Sequence, residues 1–472
     1  MGGCKAATQL PARLLFSAFM FRIHKKINML SGPIYPGLIA FALPLVITNL
    51  LQLLFHTADI IVIGRFGDAN ALAAVGVSSM TTGTFVNFIT HLTVGVTVVA
   101  GMAIGSRKPE QLRNTVHAAM GLGLALGLLL MLIMFFTMKP LLMVMKTPAE
   151  IFPEAYRYLC FFLPSVPACC IYNFGASLLR AKGDTQRPFV ILTISGVINV
   201  LLNLMFVLIF KMGVAGVALA TTIAFYLSMT MMLLLLNHET DDFRLNFRKI
   251  TLRSSALPLI LKMGLTNAMQ GMMFQASNIV VQSAINGFGP FAIAGNAAST
   301  NIGGYMWMSM NGFGHGCMAY TAQNSGARQY KRVRDVYLRT MALVFVLGLL
   351  ESIFCVTFDR PLLGLYTRDP QVIEAGIYRL HLLCGLYFIA GIMDVSCSVL
   401  RGMGYPILPA VVSLAGALGL RVLWIFTLFQ IPRFHTLFWL YMTYPVSWTA
   451  TLIVLLWVFH VIYQRKLREV RA

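Results

Sequence analysis

Long apolar runs, separated by short charged or Gly- and Pro-containing segments, follow one another along almost the whole chain. Runs such as residues 116–136 and 218–236 reach about 20 residues, the length with which an α-helix crosses a bilayer. The runs show no period-two alternation, so they do not indicate the strands of a membrane barrel. Together they predict twelve membrane-spanning helices, at about 36–64, 70–104, 114–137, 153–180, 187–211, 214–237, 258–286, 290–325, 336–357, 372–400, 406–431 and 436–462.

The composition places the chain in lipid rather than in water. Of its 472 residues, 58% are hydrophobic and 11% are charged, with a mean hydropathy of +0.76. In soluble domains about a quarter of the residues are charged. This chain therefore has too few charged residues to cover a water-facing surface. The predicted partner of most of its surface is therefore the lipid bilayer.

The basic residues carry information about orientation. The formal net charge is +20, which in a soluble protein would indicate nucleic-acid binding. In a membrane protein basic loops instead fix the topology, and no nucleic-acid partner is predicted. With the N-terminus in the cytoplasm, 26 of the 36 Lys and Arg residues fall in segments that the twelve-span map puts inside. This pattern predicts that both termini are cytoplasmic.

The N-terminal segment predicts a tail rather than a cleaved signal peptide. Residues 14–21 are apolar, but the run is short, a basic stretch follows it, and no small-residue cleavage site is present. An interfacial segment, or a sequence that begins before the natural start, fits residues 1–26 better. Seven of the eight cysteines lie in apolar stretches without metal-ligand spacing, and we interpret them as packing residues.

Four short motifs recur at a nearly constant offset, which indicates an internal duplication. Ser177-Leu-Leu-Arg-Ala-Lys-Gly183 matches Ser398-Val-Leu-Arg-Gly-Met-Gly404, 221 residues later. The other recurring motifs are Gly105-Ser-Arg, Pro140-Leu-Leu and Glu154-Ala. Each half holds six predicted spans, so the halves have the same orientation and form parallel repeats. Such repeats occur in secondary transporters, with the substrate path between the halves.

The predicted fold is an all-α polytopic membrane protein with two six-helix lobes. An N-terminal tail occupies residues 1–35, and the N-terminal lobe occupies residues 36–237. A charged cytoplasmic linker at 238–257 leads to the C-terminal lobe at 258–463, and a cytoplasmic tail at 464–472 ends the chain.

Span 1 carries a polar stripe where polar groups are costly. Asn49, Gln52, His56 and Asp59 are spaced by three and four residues, which places them on one helix face. We expect this face to point into the lobe, because lipid would not tolerate it. For Asn49 and Gln52 interhelical hydrogen bonding is the favoured role, whereas for Asp59 binding of a proton or a sodium ion is favoured.

Two further spans show polar faces. Ser195, Asn199 and Asn203 in span 5 are four residues apart, and their amide oxygens suit a hard cation as well as helix–helix contacts. Both interpretations stay open for span 5. Span 7 has a wider polar face, which indicates a wetted wall and consists of Asn267, Gln270, Gln275, Asn278 and Gln282.

Glu351, Asp394 and Arg421 are further ionisable residues inside predicted spans. Asp394 and Arg421 lie on neighbouring spans at depths that differ by roughly 10 Å along the helix axes. They predict either a structural ion pair in the C-terminal lobe, or an Asp394 that faces the cleft, attracts cationic substrates and has its titration tuned by Arg421.

Several motifs resemble the multidrug and toxic-compound extrusion (MATE) family over roughly residues 27–461. They are Ala42-Leu-Pro-Leu, Ala58-Asp-Ile-Ile-Val-Ile-Gly-Arg, Leu72-Ala-Ala-Val-Gly, the Leu-Arg-x-x-Gly elements at Arg180 and Arg401, and Gln323-Asn-Ser-Gly-Ala. The resemblance implies two six-helix lobes that form a V-shaped cleft. It also implies efflux of mostly cationic, amphipathic compounds in exchange for H⁺ or Na⁺.

The resemblance also implies a cation site. Asp59 stands where many members have a cation-binding aspartate, and its partners would be Asn199, Asn203 and Thr221. The chain departs from the pattern at Asn203, where many relatives have an aspartate, and at Thr266, where a proline is common. It also lacks a glutamate in span 7, so the coupling ion stays open.

The function predicted from these observations is a multidrug-type antiporter of the bacterial inner membrane, monomeric, acting on small drugs or toxins. No cofactor is expected beyond the coupling ion, and no metal apart from Na⁺ at Asp59. Asn49, Gln52, His56, Gln275, Asn278, Gln282, Asp394 and Arg421 are the predicted substrate-path residues. The alternative is a flippase for a lipid-linked sugar, which would need several cavity arginines, whereas here Arg421 alone is deeply placed. No metalloprotease, Walker or nucleophile motif supports an enzyme.

Overall fold

The computed structural model describes residues 27–66 and 69–471. Residues 1–26 of the predicted tail at 1–35 lie outside the described residues. Every regular element in the described part is helical. The first half contains α1 (Ile34–Phe66), α2 (Ala69–Leu92), α3 (Val94–Gly105), α4 (Pro109–Val144), α5 (Phe152–Phe162), α6 (Ser165–Lys182), α7 (Gln186–Leu204), a π-helix (Met205–Ile209) and α8 (Val214–His238).

The second half has a similar order, with one long helix in place of α2 and α3 and with two additional short helices. It contains α9 (Leu257–Ile285), α10 (Pro290–Gly326), α11 (Tyr330–Thr357), α12 (Asp359–Gly364), α13 (Pro370–Cys384), α14 (Tyr387–Gly402), α15 (Ile407–Ser413), a π-helix (Leu414–Leu420), α16 (Arg421–Phe426) and α17 (Leu437–Arg471). Four short 3₁₀ turns lie at Phe247–Lys249, Asn286–Phe288, Leu428–Gln430 and Pro432–Phe434.

Eight helices in the described part are long and apolar enough to cross a membrane, or ten if each of two bent helix pairs is one span. The bent pairs are α5 with α6, at 49°, and α13 with α14, at 44°. The two other predicted spans coincide with α9 and α10, which are 29 and 37 residues long but carry many polar residues and glycines. Twelve spans therefore stays a prediction, while the all-helical polytopic class is confirmed.

The duplicated motifs adopt the same backbone conformation in both halves. Gly183 and Gly404 have φ of 93° and 91°, a conformation that glycine adopts without a steric penalty at a helix end. Arg107 and Arg328 both have positive φ, at 52° and 58°. The internal repeat of the sequence is therefore also present in the backbone conformation of the turns that follow corresponding helices.

The described chain forms two compact units that do not follow the sequence order. Unit 1 includes Ile47–Val96 and Lys108–Ile260. Unit 2 includes Asn28–Val46, Thr97–Arg107 and the chain from Leu261 onward. The boundary between the units divides α1 at Val46, whereas the predicted lobes at 36–237 and 258–463 are continuous stretches. Those lobes and the linker stay predictions.

Each unit has its own core. In unit 1 a cluster of buried apolar side chains includes Ile63, Met134, Leu159 and Val217 from four different helices. In unit 2 the long helix α10 packs against α11, α13 and α14. Small residues permit this packing, since a Cβ on Gly295 would lie 2.6 Å from the backbone nitrogen of Gly376.

A buried ion network joins the end of α8 to the turn between α6 and α7. Glu239 accepts from Lys182 Nζ at 2.6 Å and from Arg187 Nη1 at 2.5 Å, and Arg187 also pairs with Asp184. The side chains of Arg187, Asp184 and Glu239 are at most 2% exposed. No pattern in the sequence predicts this network, because Glu239 lies more than fifty positions from the residues it pairs with.

Candidate functional site

Asp59 lies on α1 in unit 1, and it is 7% exposed. The Asn203 amide nitrogen on α7 donates a hydrogen bond to Asp59 Oδ1. The π-helix that begins at Met205 follows Asn203 by two residues, and such interruptions of the α-helical ladder are frequent at functional sites. The structure thus joins two of the residues that the resemblance assigned to one cation site.

Asn199 and Thr221 complete the same cluster. The side-chain amide of Asn199 forms hydrogen bonds with both of its neighbours when it is oriented so that its nitrogen donates to Asp59 Oδ1 at 3.2 Å. Its oxygen then accepts from the backbone nitrogen of Thr221 at 3.1 Å. All four predicted residues of the cation site therefore belong to one hydrogen-bonded cluster.

A close approach of α7 to α1 creates this cluster. A Cβ on Gly196 would overlap the ring of Phe55, so α7 lies against α1 more closely than any residue with a side chain would permit. Gly196 precedes Asn199 by three residues and Asn203 by seven, which places all three on one helix face. That face carries both amides toward Asp59.

The electrostatics of the cluster are those of a carboxylate without a cationic partner. Among the described residues no Lys, Arg or His forms an ion pair with Asp59. The buried Asn203 Oδ1 has no hydrogen-bond partner within residues 27–66 and 69–471. A carboxylate beside an unpaired amide oxygen can accept a proton or coordinate a small hard cation.

The rest of the span 1 stripe does not share this environment. Gln52 and His56 are exposed and Asn49 is partly exposed, and none of the three forms a hydrogen bond in the described part of the chain. Asp59 is therefore the one stripe residue that the structure buries against other helices. A role of the other three in the substrate path stays a prediction.

Arg421 forms a second polar cluster, in unit 2. Its guanidinium donates from Nε to Ser447 Oγ at 3.0 Å, and from Nη1 to Ser277 Oγ at 3.3 Å and Asn278 Oδ1 at 3.4 Å. It also lies 4.2 Å from the ring centroid of Tyr444, a cation–π distance. Arg421 is 2% exposed.

The predicted ion pair between Asp394 and Arg421 is wrong. Asp394 lies on α14 against α10, where it accepts from Asn311 Nδ2 at 3.2 Å, and a Cβ on Gly314 would lie 2.6 Å from its Oδ2. Arg421 instead points toward α9 and α17. Axial depth alone predicted the pair, whereas the rotation of each helix about its own axis decides which side chains meet.

The remaining predicted residues are dispersed. Glu351 accepts from Ser309 Oγ at 2.5 Å. Gln282 on α9 donates to Asn286 at 2.9 Å and accepts from Asn296 at 2.7 Å. Gln275 is exposed and forms no hydrogen bond in the described part.

Three residues around Arg421 were not predicted from the sequence. Ser277, Ser447 and Tyr444 are of types that are common in membrane helices, so none stands out alone. The one available signal was the costly arginine itself, which requires hydroxyl or amide acceptors on the adjacent helices.

The duplicated helical fold, with a buried carboxylate site in one unit and a buried guanidinium site in the other, defines a polytopic membrane transporter. The MatE family model matches residues 44–205 and again 263–427, together more than half of the chain. The chain therefore belongs to the MatE family. The second match begins and ends about 220 residues after the first, as the internal repeat requires.

Individual relatives agree. "Probable multidrug resistance protein YoeA" of Bacillus subtilis is 24% identical over 433 residues, which cover 90% of this chain and 93% of that protein. The "FAD transporter" of Shewanella oneidensis is 27% identical over 404 residues, which cover 82% and 86%. The outward-facing structure of a multidrug resistance MATE family transporter has a TM-score of 0.86 at 19% identity, and the match covers 94% of this chain and 99% of that one.

These matches confirm the family, the all-α polytopic fold and the class of membrane transporter rather than enzyme. The structural likeness, at 19% identity, shows the fold alone.

Proposed function

We propose that this chain exports small organic compounds by antiport with H⁺ or Na⁺ bound at Asp59. Small-molecule export is supported by the names of the relatives, several of which are multidrug resistance proteins. These names favour a transporter of soluble compounds over the lipid-linked sugar flippase. Alternating access between the two lobes would carry the substrate, and no cofactor beyond the coupling ion is needed.

The observation that carries the coupling role is the environment of Asp59. Its carboxylate is buried among neutral donors, and the unpaired Asn203 Oδ1 lies in the same cluster. Cation binding would cancel the Asp59 charge and pair that oxygen, so it stabilises one arrangement of α1 against α7. An empty site would leave the charge in place and favour the other arrangement.

We further propose that the protein lies in the bacterial inner membrane as a monomer with both termini and residues 238–257 in the cytoplasm. The distribution of Lys and Arg supports this orientation. Labelling of a cysteine substituted for Arg244 from the cytoplasmic side, and of one substituted for Arg433 from outside, would agree with it.

The charge of the substrate is a separate question. The family resemblance implies mostly cationic compounds, and Asp394, partly buried beside Asn311, would attract them. One relative is a FAD transporter, and FAD carries negative phosphates. We therefore propose small amphipathic compounds, cationic ones among them, as the substrate class.

The test uses the full-length protein in proteoliposomes, with rhodamine 123 as a fluorescent cation and proton or sodium gradients imposed separately. The wild type should move the dye with at least one gradient, and the gradient that works identifies the ion. Asp59→Asn should lose gradient-driven movement while retaining its thermal unfolding temperature, because the amide fills the same space without a charge. Asp59→Glu should retain part of it.

Glu351→Gln is the control, since Glu351 is a partly buried carboxylate on a different helix, α11, where it accepts a side-chain hydrogen bond from Ser309. It should transport at the wild-type rate. Gradient-driven transport by Asp59→Asn at the wild-type rate would refute the assignment of the coupling site.

A further inference from the structure

The guanidinium of Arg421 is buried without an anionic partner. It is 2% exposed, and no Asp or Glu of the described chain forms an ion pair with it. An uncompensated charge in a low-dielectric environment is among the most costly features that a membrane protein contains. A buried arginine is ordinarily neutralised by carboxylates. Arg187 in unit 1 is an example, since it is also buried and pairs with both Asp184 and Glu239.

The contacts of Arg421 hold the guanidinium in place but do not neutralise it. Nε and Nη1 donate to two serine hydroxyls and one asparagine amide oxygen. The serine hydroxyls direct their own protons elsewhere, Ser277 Oγ to Ala417 O at 2.8 Å and Ser447 Oγ to Tyr444 O at 2.9 Å, so their oxygens accept from the guanidinium but carry no charge. The ring face of Tyr444 contributes a partial attraction only.

One nitrogen of the guanidinium keeps its donors. Nη2 has no hydrogen-bond partner in the part of the chain that the structure describes. The two residues beside the group that reach the surface of unit 2 are Asn278, which is exposed, and Tyr444, which is partly exposed. A guanidinium held through Nε and Nη1, with the N–H groups of Nη2 unpaired, can donate to an oxyanion through Nη2.

We propose that Arg421, together with Asn278 and Tyr444, binds a carboxylate or phosphate group of the transported compound. This inference deepens the proposed function, on which it rests, by assigning an acidic group to part of the substrate class. The guanidinium supplies the charge, and the aromatic face of Tyr444 provides a surface for an apolar body adjacent to the acid.

The internal repeat relates the Arg421 site to the proposed Asp59 site. The Asp59 site uses spans 1, 5 and 6 of the first half, through α1, α7 and α8. The Arg421 site uses the corresponding spans of the second half, through α9, α16 and α17. Each half also contains a π-helix in its fifth predicted span, at Met205–Ile209 and Leu414–Leu420. A polar site between the same three spans therefore occurs in both halves, with opposite charge. We call each of these three-helix sites a niche.

A matched pair of dyes tests the proposal. Rhodamine 110 carries a free carboxylate, and rhodamine 123 is its methyl ester, so the two differ in the acidic group alone. Binding to the full-length protein in phosphatidylcholine nanodiscs is measured by fluorescence anisotropy without any ion gradient. The wild type should bind rhodamine 110 about tenfold or more tightly than the ester, the order expected for one desolvated charge-assisted contact. Arg421→Gln should abolish the difference, and Arg421→Lys should keep part of it.

Asn278→Asp provides the test that does not depend on removing a buried side chain. The exposed asparagine becomes a near-isosteric carboxylate at the oxygen that already lies 3.4 Å from Nη1, so it should occupy the guanidinium and exclude the dye carboxylate. The variant should therefore lose the preference for rhodamine 110 and still bind rhodamine 123. Asn301→Asp, at an exposed asparagine elsewhere in unit 2, is the matched control and should behave as the wild type.

The outcomes separate this inference from the proposed function. Asp59→Asn should keep the preference for the free acid, because the measurement needs no coupling ion. Equal affinities for the two dyes in the wild type, or a preference that survives both Arg421→Gln and Asn278→Asp, would overturn the inference and leave cation coupling untouched. In phosphatidylglycerol nanodiscs the anionic surface shifts the binding of both dyes, so the preference is taken relative to that of Arg421→Gln in the same lipid. Loss of that relative preference would show that an anionic lipid headgroup is the occupant, and would also overturn the inference.

Discussion

The Asp59 and Arg421 sites occupy corresponding spans of a duplicated chain, yet they carry opposite charges. In unit 1 the neighbours of the central charge are amide donors, which face the Asp59 carboxylate from Asn199 and Asn203. In unit 2 the neighbours are acceptors, the hydroxyls of Ser277 and Ser447. The duplicated fold therefore supplies a three-helix niche, and the residues placed in it decide which sign of charge it stabilises.

The two proposals together assign one task of the transport cycle to each charge. A buried carboxylate without a cationic partner suits a small coupling ion, which can enter a tight cluster. A buried guanidinium whose Nη2 has no partner among the described residues suits an acidic group of a larger compound. If the tasks are divided in this way, substitutions in one niche should impair coupling and substitutions in the other should impair recognition of the substrate.

The largest expected effect compares Asp59→Asn with Arg421→Gln in gradient-driven efflux of both dyes. If Asp59 couples the ion, its loss should reduce the efflux of rhodamine 110 and of rhodamine 123 to the level of protein-free liposomes. Arg421→Gln should slow rhodamine 110 alone, by about tenfold, since one charge-assisted contact is lost. The measurement is the initial rate of dye movement at saturating gradient.

That pair of variants can contradict the division in two ways. Selective loss of one dye in Asp59→Asn would make Asp59 a substrate ligand instead of a coupling residue. Loss of both dyes in a folded Arg421→Gln protein would make Arg421 part of the coupling machinery.

The second-largest expected effect is on the free energy of unfolding, and it compares the loss of a buried ion pair with the loss of an exposed one. Glu239→Gln should destabilise unit 1 by about 3 kcal/mol, because Arg187 loses one of its two anionic partners in a buried position. Asp242→Asn is the control, since Asp242 pairs with Arg113 at 3.7 Å with both side chains largely exposed. That pair should contribute less than about 1 kcal/mol.

Thermal unfolding in detergent, followed by intrinsic fluorescence, measures both variants under the same conditions. Equal unfolding temperatures for Glu239→Gln and Asp242→Asn would show that the buried network does not stabilise the protein.

Much of the fold was predictable, because apolar length alone locates membrane helices. The predicted span at 187–211 corresponds to Gln186–Leu204 and the π-helix that follows it. The predicted span at 153–180 is a bent pair, broken at residues 163–164. A hydropathy average over the span does not register such a break, because Pro164 interrupts the helix through its missing backbone N–H and not through its polarity. The π-helices were missed because such an average does not register them either.

The candidate sites were predictable only where a residue type is costly in lipid. Asp59 and Arg421 stand out in any apolar span, and the cluster of Asn199, Asn203 and Thr221 around Asp59 came from the family resemblance. The partners of Arg421 and the separation of Asp394 from it were not predictable. They depend on helix rotation and on the approach of α9, α16 and α17, which a periodic pattern does not fix.

The smallest expected effect tests the packing that places the two sites. Gly196→Ala adds a methyl group that overlaps the ring of Phe55, so α7 must move away from α1 or the ring must turn. We expect a loss of about 1–3 kcal/mol in stability, the usual cost of an inserted methylene, and slower cation-coupled efflux because the Asp59 cluster is pulled apart. Phe55→Leu combined with Gly196→Ala should restore both, since the smaller side chain makes room for the methyl group.

Gly416→Ala is the corresponding change in the second half, where the added methyl group meets the hydroxyl of Thr451 on α17. Combined with Thr451→Ala it should also recover. The two changes should differ in what they impair: Gly196→Ala should slow the gradient-driven movement of rhodamine 110 and rhodamine 123 alike, and Gly416→Ala should weaken the binding of rhodamine 110 while sparing that of rhodamine 123. If the two glycine variants instead impaired the same measurement, the division of roles between the two sites would be wrong. Ion coupling would then not depend on α7 alone, and recognition of the acidic group would not depend on the Leu414–Leu420 π-helix alone.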